Sequence, residues 1–245
     1  LSARYIVRIP LAKMRLGFSD MTVLDGLSWM LGKSKEARKE IEKAYNVRPD
    51  LGYIAKTVKS LRVAKFKSLN IGPEIGTPIL MARAERLSSG KEIIDKIGRC
   101  AIEPKLDGFR VQVHYSKNSK FEIRNSKLGT LGLFEDENQK VRLFSRNLED
   151  VTNMYPDIVA AAIKQMKASE AIFEGEAIGW DEKKQKYLPF QETVQRRRKY
   201  NIKEMTKSVP LKLVVFDLLY VDGENLIDKP FLERRKRLEE ILKTA

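Results

Sequence analysis

Apolar positions recur at helical spacing in the first third of the chain and at alternating spacing beyond it. Residues 21–30 carry apolar side chains about three and four apart, and Ser19 or Asp20 stands where an N-cap belongs. Residues 35–45 and 51–66 mix charged and apolar positions with the same period, which predicts two more amphipathic helices. The glycine- and proline-rich stretch at residues 70–80 ends that pattern. The domain boundary is placed there, giving residues 1–72 and 73–245. After it come short apolar or alternating runs. Strands are predicted at 99–105, 109–116, 120–125, 140–145, 170–178 and 211–221, and helices at 89–98, 155–168 and 230–243. Strands joined by turns and flanked by helices predict an α+β fold: an all-helical segment, then a domain of mainly antiparallel sheets.

Composition sharpens this picture. At 245 residues with 42% hydrophobic content, the chain can build two cores. A net charge of +14 and a pI near 9.7 point to a polyanionic partner. Residues 1–80 hold 15 Lys and Arg against 7 Asp and Glu, and the rest 32 against 26. The basic excess is thus denser in the helical part, where a polyanion would be gripped. The single cysteine, Cys100, excludes an internal disulfide, fits a reducing compartment and reads as a small buried hydrophobe. The single histidine, His114, reads as structural or superficial and makes a histidine-based catalytic dyad improbable. No apolar run is long enough to span a membrane, and no signal peptide is visible.

The candidate chemistry centres on Glu103-Pro104-Lys105-Leu106-Asp107-Gly108-Phe109-Arg110, in which Lys105 opens the pattern K-x-D-G-x-R. A free lysine has a pKa near ~10.4 and must lose a proton to attack phosphorus. Nearby cations and partial desolvation favour that loss, and Arg110 and a bound metal are the available positive charges. Gly108 allows a sharp turn beside a ligand. The competing reading is an ordinary hairpin with Asp107-Gly108 at its tip. A second phosphate-binding pattern, Gly26 with Gly32-Lys33-Ser34, has a first gap one residue too long for a P-loop. It lies in a helical pattern, so a helix end capped by Gly32 is the better reading.

Further motifs follow in order. Val141-Arg142-Leu143-Phe144-Ser145-Arg146-Asn147-Leu148-Glu149-Asp150 is a strand entering a polar turn. Ala171-Ile172-Phe173-Glu174-Gly175-Glu176-Ala177-Ile178 is an apolar strand broken by two carboxylates. Pro189-Phe190-Gln191 precedes the basic run Arg196-Arg197-Arg198-Lys199, and Leu213-Val214-Val215-Phe216-Asp217-Leu218-Leu219-Tyr220 closes the series. Together with Tyr5-Ile6-Val7-Arg8 and residues 13–27, this order resembles the ATP-dependent DNA ligases of the archaeal and eukaryotic replicative type over nearly the whole chain. Residues 117–139 depart from the family pattern, which joins the corresponding strands by a tight hairpin. They read as an added strand pair or loop, so the assignment of Arg146 rests on its local context.

The resemblance implies a nucleotidyltransferase fold for residues 73–245 and the end of a helical DNA-binding domain for residues 1–72. It implies Lys105 as the nucleophile that takes AMP from ATP, and nicked double-stranded DNA as the substrate. Glu103 would lie by the adenine amino group, and Arg110 and Arg146 would contact ribose and phosphates. Glu176 would hold the ribose hydroxyls or Mg²⁺, and Phe216 would stack on adenine. Without the resemblance, Phe216 reads as core; the basic run reads as solvated surface, with phosphate contacts as the alternative in so basic a chain. Glu174 and Glu176 share one strand face, with one expected toward a pocket and the other toward a structural partner; Glu176 is the expected pocket residue. The family's later motifs and its OB domain have no counterpart here, so a fragment is expected that by itself seals nicks poorly. The resemblance leaves room for a sliding clamp as a second partner. RNA ligases and capping guanylyltransferases share the lysine motif, and a non-catalytic DNA-binding fragment is the reading outside enzymes.

Overall fold

The structure is a computed structural model that describes residues 6, 19–61, 69, 71–118, 140–198 and 200–243. The predicted strand at 120–125, nearly all of the added segment 117–139, most of the first family-like stretch and Lys199 lie outside the described residues. The chain divides into two compact units, Leu1–Gly72 and Pro73–Ala245.

The first unit contains helices α1 (Asp20–Gly32), α2 (Arg38–Val47) and α3 (Leu51–Ser60), which pack on one another. Ser19 is the N-cap of α1, and its N–H donates to the Thr22 hydroxyl. Leu24, Ser28 and Leu31 form the buried stripe of α1, as helical spacing requires. The left-handed residue that ends α1 is Lys33, with φ 52°, rather than the expected Gly32 cap. Asp50 caps α3 by accepting from the Tyr53 N–H at 2.9 Å. Tyr45 donates to Asp20 at 2.6 Å and Arg38 pairs with Asp25 at 2.7 Å, tying α2 to α1.

The second unit begins with an irregular segment, then helix α4 (Gly90–Ile97) and strands β1 (Phe109–Ser116) and β2 (Val141–Ser145). Helix α5 (Pro156–Gln165), the long strand β3 (Glu170–Asp181), the short β4 (Lys186–Tyr187) and helices α6 (Phe190–Thr193) and α7 (Ile202–Ser208) follow. Strand β5 (Leu211–Val221), the short β6 (Glu224–Asn225) and helix α8 (Phe231–Ile241) complete it. Among the described residues the sheet order is β2-β1-β3-β5-β6, with β4 on β3, and every pairing is antiparallel. The α+β expectation therefore holds. No helix among the described residues is long and apolar enough to cross a membrane.

One sheet face builds the core. Val111, Val113 and Tyr115 of β1 meet Leu143, Phe173 and Leu218 from neighbouring strands, with Ile158 and Val159 of α5 and Leu238 of α8 above them. The opposite face of β1 carries Arg110, Gln112 and His114, and Gln112 and His114 are fully buried. The alternation of β1 therefore separates an apolar core from a buried polar layer, not from solvent.

The predicted strand at 99–105 is absent: residues 99–107 form no ladder. Apolar residues in a row favour an extended chain, but a strand exists only where a neighbour takes its N–H and C=O groups. Cys100, expected to be buried, is exposed for the same reason.

Candidate active site

A cleft of about 980 Å³ opens where the lysine segment, the start of β1, the end of β2 and the middle of β3 converge. Lys105, Arg110, Arg146 and Glu176 all line it. Sheet register explains how residues so distant in sequence meet, since β1 and β3 pair with Arg110 opposite Glu176 and Gln112 opposite Glu174.

Gly108 holds the lysine turn against β3. Its N–H donates to Glu176 Oε1 at 3.1 Å. A Cβ built on it would fall 2.3 Å from the Ala177 carbonyl oxygen and 2.8 Å from an Ile178 side-chain carbon. The turn is thus a close approach to another strand, not the tip of a hairpin. Substitution Gly108→Ala must push the turn off β3 and break the bond to Glu176. The expected result is a loss of about 1–3 kcal/mol of stability. Chemical denaturation checks this, and a variant as stable as the wild type would refute it.

The two carboxylates of β3 divide as the sequence suggested. Glu174 is 2% exposed and pairs with Arg110 and with the Gln112 amide. Glu176 faces the cleft, and burial pushes its carboxyl above the usual carboxylate range against the opposing pull of the Gly108 N–H, Lys105 and Arg110. With its pKa raised in the folded state, this group favours folding below its ordinary value of 4.5 and loses that contribution as pH rises through the folded value. Glu176→Gln removes the desolvated charge and keeps an acceptor for Gly108. We expect the variant to melt above the wild type at pH 8, the gap closing toward pH 4. A wild type that melts higher at pH 8 would contradict it.

The turn after β2 presents Arg146. The Ser145 hydroxyl accepts from the N–H groups of Asn147 and Glu149, each at 3.3 Å, and Leu148 takes a left-handed φ of 64°. A branched aliphatic residue in that region is strained, a cost typical of turns that hold a functional side chain. Arg110 lies with its guanidinium carbon 5.2 Å from the centre of the Phe216 ring. Its Nε is buried and has no partner among the described residues.

Two expected residues stand apart. Glu103 is exposed and Phe216 half-buried, and neither lines the cleft. The basic run splits. Arg196 is 1% exposed and paired with Asp157 at 2.7 Å, which corrects its reading as solvated surface or phosphate contact. Arg197 lines the cleft. Sequence reasoning missed Arg83 and Tyr155, which also line it. Tyr155 lies under Phe109 with ring centres 4.9 Å apart, and burial pushes its hydroxyl up to about 12. No sequence signal marks Arg83.

Residues 133–245 match the family described as ATP dependent DNA ligase domain. A protein from Dictyoglomus thermophilum named "Probable DNA ligase" is 45% identical over 239 residues, which cover 98% of this chain and 37% of that protein. The chain is thus similar to an ATP dependent DNA ligase domain over residues 133–245 and to a protein named DNA ligase over nearly its whole length. "DNA ligase 2" of the archaeon Thermofilum pendens is 44% identical over 241 residues, covering 98% of this chain and 36% of the relative. The chain thus spans a little over a third of the length of these ligases. Among solved structures, a mycobacterial DNA ligase D complexed with ATP and MES aligns over 56% of this chain and 35% of its own, at 26% identity and a TM-score of 0.37.

Proposed function

We propose that the protein is an ATP-dependent DNA ligase that seals nicks in duplex DNA, with Lys105 as its nucleophile. The observation that carries this reading is the convergence of Lys105, Arg110, Arg146 and Glu176 on one cleft large enough for a nucleotide. Residues 73–245 are read as the nucleotidyltransferase domain and residues 1–72 as part of a helical DNA-binding domain.

In the first step Lys105 Nζ, having lost a proton, forms a bond to the α-phosphorus of ATP while the bond to pyrophosphate breaks. Lys105 then gives the adenylyl group to the 5′-phosphate at the nick and regains its proton as the nitrogen–phosphorus bond breaks. The 3′-hydroxyl next attacks the activated 5′-phosphorus, its proton is lost to solvent, and AMP departs. Arg110 and Arg146 would neutralise phosphate charge, and Glu176 would hold the ribose hydroxyls. The resemblance alone supports adenine roles for Glu103, at the amino group, and Phe216, against the ring, since neither lines the cleft. Mg²⁺ binds through one or two carboxylates together with substrate phosphates, and Glu176, which shares the cleft lining with the carboxylates of Asp107, Glu149 and Asp150, would hold it. When bound it would offset the triphosphate charge and orient the leaving group.

A sealing assay on the full-length protein tests the reading, with DNA or RNA ends and with ATP or GTP. Sealing of nicked DNA with ATP is the expected result. Labelling by GTP, or a preference for RNA ends, would move the protein to the capping enzymes or RNA ligases. DNA retention with no covalent nucleotide would make it a non-catalytic binding protein.

A further inference from the structure

The polar face of β1 has no part in the reaction above, yet its side chains are joined end to end. Gly76 N–H donates to His114 Nδ1 at 3.0 Å. Because Nδ1 accepts, the ring proton sits on Nε2, which donates to Gln112 Oε1 at 2.9 Å. The same Oε1 accepts from Ile79 N–H at 2.8 Å, and Gln112 Nε2 donates to the Ile79 carbonyl at 3.1 Å and to Glu174 Oε1 at 2.9 Å. Both amide protons and both lone pairs of Gln112 are therefore used. The other oxygen of Glu174 takes Arg110, which also donates to the Ala82 carbonyl at 3.1 Å.

The chain His114–Gln112–Glu174–Arg110 thus fastens a covering segment at residues 76, 79 and 82. An apolar face would hold such a segment about as firmly, because burying polar and charged groups brings desolvation costs. What an apolar face lacks is register. Slippage of the segment by one residue over greasy side chains loses little, whereas here it strands several buried donors and acceptors at once. Register matters at this place because the residues that follow, Met81 to Ala84, line the cleft beside Arg110.

We propose that Gln112 and His114 are positioning residues of the nucleotide site. They set the register of residues 79–84 and the aim of Arg110, and so the shape of one cleft wall, without touching the nucleotide. The proposal rests on reading the cleft as the site of lysine adenylation.

The test compares Gln112→Leu, His114→Phe and His114→Asn in the full-length protein. Asn keeps an acceptor near Nδ1 for Gly76 and loses the donor to Gln112. Amide hydrogen exchange at Gly76 and Ile79 without nucleotide reads the fastening. The rate of covalent labelling against ATP concentration reads its consequence. Gln112→Leu and His114→Phe are expected to unprotect their amides and to raise the half-saturating ATP concentration about tenfold. The saturating rate stays near that of the wild type, and His114→Asn falls between. Ile158→Val, a core change on the other sheet face, loses some stability and leaves half-saturation unchanged. If Gln112→Leu loses stability or exchange protection but keeps the wild-type ATP dependence, Gln112 is merely structural and the proposal fails. A wild type that takes no label overturns the functional reading and this proposal with it. Normal wild-type labelling with unaltered variants overturns this proposal alone.

Discussion

Replacing Lys105 by alanine is expected to abolish covalent labelling of the protein by α-labelled ATP. The full-length protein incubated with ATP and Mg²⁺ and run on a denaturing gel should keep the label, and the variant should fall to background. Lys105→Arg should fail equally, although it preserves the charge, because a guanidinium cannot give up its proton near neutral pH. Lys105 is exposed and forms no ladder or core contact, so both variants should fold with wild-type stability, within about 0.5 kcal/mol. That separation of a total functional loss from an unchanged fold is what assigns the residue to chemistry. The bond itself gives a second check, since a lysyl phosphoramidate is lost in acid and survives base. Label that persists on Lys105→Ala would place the nucleophile elsewhere.

The largest effect on stability is expected from Arg196. Its side chain is 1% exposed, donates to Asp157 at 2.7 Å and to the Thr206 hydroxyl at 2.9 Å, and thereby joins the turn after α6 to the first turn of α5 and the second turn of α7. Asp157 also accepts from the Leu211 N–H at 3.0 Å, so the same carboxylate anchors the start of β5. Arg196→Ala leaves that carboxylate half-buried without its cation and should cost about 3–5 kcal/mol, read by urea unfolding. Arg198→Ala, on an exposed residue of the same run, should change stability by less than about 0.5 kcal/mol. The double replacement Arg196→Met with Asp157→Leu should regain part of the loss, because it removes the orphaned charge but leaves the Leu211 N–H without its acceptor. A loss below about 1 kcal/mol for Arg196→Ala would show that the pair is a passenger. Since Arg197 lines the cleft next door, Arg196→Ala should also weaken nucleotide binding at temperatures where the variant is still folded.

What could be read from the sequence was local. The lysine segment, the Ser145-Arg146 turn and the Glu174-Gly175-Glu176 strand are contiguous patterns, so their residues could be named before their positions were known. The helices at Gly90–Ile97, Pro156–Gln165 and Phe231–Ile241 lie close to the spans that their periodicity and capping predict. The strand expected at 99–105 failed because hydrophobicity predicts extension but not a partner. The basic run failed differently: four adjacent cations look alike in sequence. Packing sorted them by depth, burying Arg196 against Asp157, opening Arg197 to the cleft and leaving Arg198 in solvent.

The sequence by itself determined the α+β character and marked Lys105 and the Glu174-Gly175-Glu176 strand as candidates for chemistry. These are patterns contiguous along the chain. Only the tertiary structure decided what the alternation of β1 means. Polar residues that alternate with apolar ones along a strand usually face water. Here residues 76–82 supply the hydrogen bonds that water would have made, so the polar face is buried, as Gln112 and His114 show at 0% exposure. Burial in turn pushes His114 down to about 3, which keeps the ring neutral and its Nδ1 free to accept from Gly76. Whether a polar side chain faces water or another part of the protein depends on what the fold lays over it, and alternation along a single strand carries no record of that cover.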